Sequence, residues 1–185
     1  MALHIKHLKT SGTIIRSSPF LINRLLRAID FDRALTVVQL GVGTGCITRT
    51  LLARMRPEAR LVAVELNTAF IEQNSDLTDP RLSLVTGCAG DLPQIAHELG
   101  LGALDYIVSS LPLAIMDDDL VKRILVASND LLAHNGMFLQ YQYSLSQLAN
   151  MEGHFRDVRV GFSLANIPPA FVYECSPGLV RAGAQ

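Results

Sequence analysis

The sequence has no uninterrupted apolar run approaching the roughly 18 residues that would cross a bilayer, so an integral membrane enzyme is not expected. The start, MALHIKHLKT, is basic but lacks the continuous apolar core of a signal peptide, which argues against export. Cysteine is scarce: Cys46, Cys88 and Cys175 are odd in number, far apart and without C-x-x-C spacing, so neither a disulfide framework nor a zinc site is indicated. His97, His134 and His154 are scattered and form no metal cluster. No G-K-[ST] occurs and no lysine lies between Lys9 and Lys122, which excludes a Walker loop. A net charge of -1 removes the general electrostatic case for nucleic acid. Internal repeats are absent. These absences make a reducing cytoplasm the natural setting and indicate no metal site.

What is present fits one packed domain. The chain has 185 residues, 49% apolar and 18% charged, enough to bury roughly 70% of the surface its unfolded form exposes. Strand-like and helical patterns alternate. Ser17-Ser18-Pro19 reads as a helix start, with serine as N-cap and proline in the first turn. At about 100° per residue, Leu21, Ile22, Leu25, Leu26, Ala28 and Ile29 share one face of the following helix, with Phe20, Arg24 and Arg27 away from it. The strands expected next are LTVVQL, RLVAVEL, RLSLV and ALDYIVSS, with helices at CITRTLLARM, TAFIEQNSD and LPQIAHEL between them. A helix over 117–132 follows, with Asp117, Asp118 and Asp119 complementing its dipole and Asn135-Gly136 at its end. GMFLQYQYSL, FRDVRVGFSL and PPAFVYECS complete the chain as strands. The alternation predicts an α/β, doubly wound, mostly parallel sheet covered by helices on both faces. Ligands of such sheets lie beyond the carboxyl ends of the strands.

The stretch VVQLGVGTG therefore stands in the binding crevice. Its glycines, Gly41, Gly43 and Gly45, make G-x-G-x-G rather than the dinucleotide pattern G-x-G-x-x-G, which disfavours NAD. A sharp turn that binds nothing is the bland alternative. Glu65 ends the second strand, where an acidic group accepts hydrogen bonds from both hydroxyls of a ribose.

G-x-G-x-G, Glu65 and SSLPL together resemble a class I S-adenosylmethionine-dependent methyltransferase, a Rossmann-like fold with an antiparallel C-terminal strand. SGTIIRSSPFLINRLL, SSLPL, FLQYQYS and NIPPAFVYE further resemble the small bacterial phosphatidylethanolamine N-methyltransferases, relatives of the ribosomal RNA adenine dimethylases. The resemblance implies S-adenosyl-L-methionine as cofactor, held by Gln39, Gly41, Gly43, Gly45, Glu65 and Leu66 with Cys88, Ala89 and Ser109. It implies an acceptor site at Ser109, Leu111, Pro112 and Tyr143. It also implies that residues 1–30 form a cap lying on the membrane, over a core at 31–185, as a peripheral protein of the inner membrane surface.

The chain departs from the family's pattern at three places. Gln39 stands where the first strand carries an acidic residue. Gly87-Cys88-Ala89 replaces G-D-A, whose aspartate holds the adenine amino group; Asp91, three residues on, is a candidate for that contact, and a site that binds weakly or not at all is the alternative. Arg16 replaces a proline.

The chemistry needs an in-line displacement on a nitrogen with a free electron pair. An ethanolamine amine, with a pKa around 10, must first lose a proton, which a partly desolvated pocket favours. The carbonyls of Ser109 and Ser110 and the hydroxyl of Tyr141 or Tyr143 are candidates to position it. Tyr143 is preferred from the alternation counted from Gly136, and its aromatic face suits a growing cationic nitrogen. For the lipid phosphate and an anionic membrane surface the candidates are Phe20, Arg24 and Arg27. They sit in a front segment where Lys6, Lys9, Arg16 and Arg33 add charge against Asp30 and Asp32. An ordinary solvated face, with Phe20 bracing the helix entry, explains the same residues. Two other functions stand beside the lipid one: methylation of RNA adenine, and binding of the cofactor without catalysis. Leu113 in SSLPL removes the aromatic that would stack on a flipped base.

Overall fold

A computed structural model describes residues 18–163, 166 and 168–178. The basic residues Lys6, Lys9 and Arg16, and the membrane segment expected before residue 18, lie outside the described residues. Helix α1 spans Pro19–Leu25 and tightens into a single 3₁₀ turn at Leu26–Ala28. Strand β1 (Thr36–Leu40), helix α2 (Cys46–Arg54), strand β2 (Arg60–Glu65), helix α3 (Thr68–Gln73) and strand β3 (Leu82–Thr86) follow. Then come α4 (Leu92–Glu98), β4 (Leu104–Ser109), α5 (Asp118–Leu131), β5 (Leu132–Gln142), α6 (Leu148–His154), β6 (Asp157–Ser163) and β7 (Ala170–Ser176). The seven strands form one sheet in the order β3-β2-β1-β4-β5-β7-β6. The first five are parallel, and β7 inserts antiparallel to both β5 and β6. The order reverses between β1 and β4, so the crevice opens beyond the carboxyl ends of these two strands.

Alternation along the buried strands sends neighbouring side chains into two separate cores. Val37, Leu61, Val108, Leu139 and Val172 face α1 and α2, meeting Leu21 and Leu25 of the first helix and Leu51 of the second. Val38, Val62, Ile107, Phe138 and Tyr173 face α4, α5 and α6, meeting Leu92, Ile124 and Met151. Each fully buried leucine or isoleucine contributes about 1.5–3 kcal/mol relative to exposure. Helix α1 thus covers this face together with α2, with Leu21, Ile22, Leu25, Leu26 and Ile29 buried. Ser18 caps it by accepting the N–H of Leu21 at 3.2 Å. On the other face Cys175 is fully buried, and burial pushes its thiol up to about 12, so it serves as a small core residue.

Three local expectations change. Helix α5 ends at Leu131 and β5 begins at Leu132, so Asn135-Gly136 lies inside the strand and not at a helix end. A Cβ at Gly136 would stand 2.8 Å from the carbonyl oxygen of Leu104, so the glycine answers a close approach between β4 and β5 at their register shift. Helix α3 ends at Gln73, because Asn74 turns inward and is fully buried. Helix α6 gives no pattern clear enough to read beside the neighbouring strands; in seven residues it buries only Met151. The acidic start of α5 behaves as expected: the Asp117 carboxylate accepts the N–H groups of Asp119 and Leu120 at 3.1 and 3.2 Å.

One clamp holds the end of α2 that lies away from the crevice. The Arg81 guanidinium donates to the carbonyls of Leu52 and Met55, each at 2.7 Å, satisfying groups that a helix end leaves without partners. Its own orientation is fixed by a two-pronged pairing with Asp79 at 2.9 and 2.6 Å. Hydrogen bonds from the Arg81 side chain and backbone lower the Asp79 carboxyl to about 2 from the usual 3.8. A lowered carboxylate stabilises the fold above its unfolded value and loses that contribution as pH falls through the folded one. Arg81→Met should therefore lower the midpoint of urea unfolding at neutral pH. The difference between Asp79→Asn and the parent should vanish as pH falls from about 4 to about 2.

Candidate active site

Beyond the ends of β1, β2 and β4 lies a cavity of about 520 Å³. That is within the range that holds a small molecule. Its floor is the corner Gly41-Val42-Gly43-Thr44, where the chain leaves β1 and turns into α2. Glu65, the last residue of β2, reaches across to that corner. One of its oxygens accepts the N–H groups of Val42 and Gly43 at 2.9 and 3.1 Å, and the other accepts that of Asn67 at 2.9 Å. A carboxylate has about four lone-pair sites. Three backbone donors leave it room for a ligand hydroxyl, and Glu65 lines the cavity.

The glycines of the corner differ in purpose. Gly43 has φ +52° and a Cβ there would meet nothing within 4 Å, so the bare backbone opens toward free space. Gly45 has φ +78° and does not line the cavity; a Cβ there would stand 2.0 Å from Asn74 Oδ1. Asn74 is the reason for that tightness. Its side-chain amide donates to the carbonyls of Gly43 and Phe70 at 2.9 and 2.8 Å, tying the corner to α3. Nothing in the local sequence separates this asparagine from a surface residue of a helix end.

Gln39 does not line the cavity. It is fully buried, donates to the Gly41 carbonyl at 2.8 Å and accepts the Thr48 hydroxyl at 2.8 Å. An amide can do both, donating and accepting, where a carboxylate could only accept. Its role is to brace the corner from behind. On the third wall Leu66 is half exposed beside Asn67 and Phe70, and Cys88 and Ala89 stand opposite. Asp91 is exposed and does not line the cavity, so it does not replace the missing acid at Cys88.

The side of the cavity toward β4 and β5 is apolar. Leu111, Pro112, Met116, Ile124 and Tyr141 line it, with the Ser110 hydroxyl between them and the glycine corner. Two assignments move by one or two residues. Ser109 is the last residue of β4 and fully buried, its hydroxyl accepting the N–H of Leu111 at 3.4 Å, whereas Ser110 lines the cavity. Tyr141 lines it as well, and Tyr143 does not: Tyr143 stands beyond the end of β5 and packs edge-on against Tyr141, with ring centroids 5.9 Å apart. Strand alternation cannot distinguish residues two apart, which share a face; the end of the strand decides.

Phe20 is 66% exposed and Arg27 is exposed. Arg24 is not available in the same way, since its guanidinium donates to Glu174 of β7 at 2.7 Å. That pairing of positions 150 residues apart has no trace in the sequence of either segment.

A bare corner that a Cβ would fill, an acidic side chain at the tip of β2 and apolar walls beside them fit a nucleoside cofactor. Gly43→Ala should cost about 1 kcal/mol in unfolding, from backbone strain alone. It should nevertheless weaken binding of S-adenosylhomocysteine at least ten-fold in titration calorimetry, because the methyl group enters the cavity. Gly45→Ala should show the reverse balance, with the larger loss in stability through Asn74. Equal effects of the two on binding would refute this division.

No family model matches the sequence. Over 173 residues the chain is 30% identical to an ornithine lipid N-methyltransferase of Singulisphaera acidiphila, covering 92% of this chain and 90% of that protein. Among solved structures the fold is similar to a precorrin-6y C5,15-methyltransferase from Geobacter metallireducens. That likeness has a TM-score of 0.71 at 14% identity, over 90% of this chain and 92% of that one. The N-methyltransferase NodS from Bradyrhizobium japonicum, solved with S-adenosylhomocysteine, has a TM-score of 0.69 at 14% identity, over 89% and 90%. With the lipid enzyme matched along nearly its whole length, the chain belongs to the class I S-adenosylmethionine-dependent methyltransferases and is an N-methyltransferase.

Proposed function

We propose that the acceptor is the primary amine of a membrane lipid head group, with phosphatidylethanolamine as the first candidate. The observation that carries this reading is the two-sided cavity: a polar corner for the cofactor and an apolar side, led by Leu111, Pro112 and Tyr141, for the acceptor. Ornithine lipid is the second reading, because the relative at 30% identity is named for it. RNA adenine is less supported, since Leu113 is fully buried and gives no stacking face at that position.

Bound S-adenosylmethionine supplies a methyl group already activated on a sulfonium, so the protein's work is alignment and desolvation. Glu65 orients the cofactor through its sugar while holding the corner flat beneath it. The Ser110 hydroxyl donates to the Gly41 carbonyl at 3.0 Å, which ties the acceptor turn to the cofactor corner. Its hydrogen being engaged, the oxygen presents lone pairs to an amine N–H. The apolar side disfavours an ammonium, so the amine enters neutral, its proton lost to solvent, with its electron pair directed at the methyl. Tyr141 offers a ring face on which a nitrogen of growing positive charge is favoured.

At the surface, exposed Phe20 seats at head-group level and Arg27 pairs with lipid phosphate, while Arg24 keeps α1 on the sheet through Glu174. No helix among the described residues is long and apolar enough to cross a membrane.

The direct test is transfer of labelled methyl from the cofactor to vesicles containing phosphatidylethanolamine, to vesicles containing ornithine lipid, and to RNA. Label in the first is expected; label in RNA alone would overturn the lipid reading. With saturating cofactor the rate should rise about ten-fold per pH unit between pH 7 and 9, following the neutral fraction of an amine of pKa around 10. A flat profile would mean that the amine is not taken from its neutral pool. The pair Phe20→Ser and Arg27→Glu should reduce sedimentation with anionic vesicles several-fold and leave turnover on a detergent-dispersed lipid near that of the parent. Unaltered sedimentation would remove this surface from the membrane contact.

A further inference from the structure

The turn that follows β4 is held from behind by glutamines that take no part in the cavity wall. Gln140 and Gln142 lie two apart on β5 and so project from the same face. Both side-chain amides donate to one atom, the carbonyl oxygen of Leu111, at 2.9 and 3.0 Å. Gln147, just past the strand, donates to the carbonyl of Leu113 at 3.3 Å and accepts from the Asn150 amide at 2.8 Å. Gln140 is fully buried and Gln142 is 4% exposed, among the apolar residues of the larger core.

Gln140 is not placed there for stability. Its Nε2 also donates to the Tyr141 carbonyl at 2.7 Å, but its Oε1 is buried with no partner among the described residues. A buried acceptor without a donor destabilises, and a leucine of similar size would fill the same space without it. What the amide supplies is a fixed Leu111 peptide. Together with the Leu113 N–H, which donates to the same oxygen at 2.9 Å, the two amides crowd that carbonyl with three donors, so it is closed to an incoming amine, and the turn presents the Ser110 oxygen instead.

We propose that Gln140 and Gln142 are positioning residues for the acceptor, locking the Leu111 carbonyl so that Ser110 alone meets the acceptor nitrogen. The inference rests on the amine reading of the site above. The cofactor corner makes no contact with this pair, being held by Glu65, Gln39 and Asn74. The effect is therefore specific to the acceptor.

The test compares Gln140→Leu, Gln142→Leu and the double variant with the parent. Titration with S-adenosylhomocysteine should give affinities within two-fold of the parent, and Gln140→Leu should melt no lower. Acceptor kcat/KM should fall about ten-fold in the single variants and on the order of a hundred-fold in the double one, the loss expected from a misplacement near 1 Å. Hydrogen exchange of the 110–116 segment, measured with S-adenosylhomocysteine bound, should speed up while that of the 41–45 corner stays unchanged. Parental kcat/KM and exchange in the variants, or cofactor affinity falling in step with turnover, would overturn the proposal. If the parent enzyme itself transfers no methyl to a lipid amine, the acceptor reading falls. The exchange experiment then still decides whether the amides hold the turn, and the single variants decide it if the double one does not fold.

Discussion

The carboxylate of Glu65 is the interaction on which the site depends. A chain turning out of a strand at Gly41 exposes N–H groups that no ladder partner can take, and a buried amide without an acceptor is costly. Glu65 accepts two of them, and a third from Asn67. The corner is thereby held open and flat without a side chain of its own. Behind it Gln39, itself held by the Thr48 hydroxyl, braces the Gly41 carbonyl, and Asn74 braces that of Gly43. Charge at the corner is thus supplied by β2, and β1 contributes a neutral brace.

The apolar side of the cavity is built by a different device. Amide side chains of β5 and the turn after it bind backbone carbonyls of the turn after β4, so two adjacent parallel strands define one rigid ledge. Ser110 joins the halves through the Gly41 carbonyl. That bond and the Ser110 N–H donating to the Leu40 carbonyl at 3.0 Å together fix the separation of the two turns that wall the cavity.

Much of this was legible in the sequence, because the fold is written in periodicities. The strands β1, β2 and β4 are short apolar runs buried on both faces, and the helices between the strands are marked by stripes and breaks, so the alternation gives a doubly wound sheet and its crevice. The glycine corner and Glu65 follow from spacing alone. Leu66, Cys88, Ala89, Leu111 and Pro112 line the cavity as the motifs imply. Gln39, Ser109 and Tyr143 each lie beside the wall and not in it. Their positions depend on where a strand ends or on which direction a buried side chain turns, and periodicity is blind to both.

The sequence by itself determined the layers and the strand-to-helix corner, since these arise from local burial and from backbone that only glycine leaves bare, while the cofactor class followed from the resemblance of its motifs to a known family. Only the tertiary structure decided the rest. It paired Arg24 with Glu174, brought Asn74 under Gly45, turned Ser110 and Tyr141 inward in place of Ser109 and Tyr143, and set two glutamines on one carbonyl. Each is a polar contact whose partner lies far along the chain or across a strand end. Such contacts follow from three-dimensional register and leave no period in the sequence.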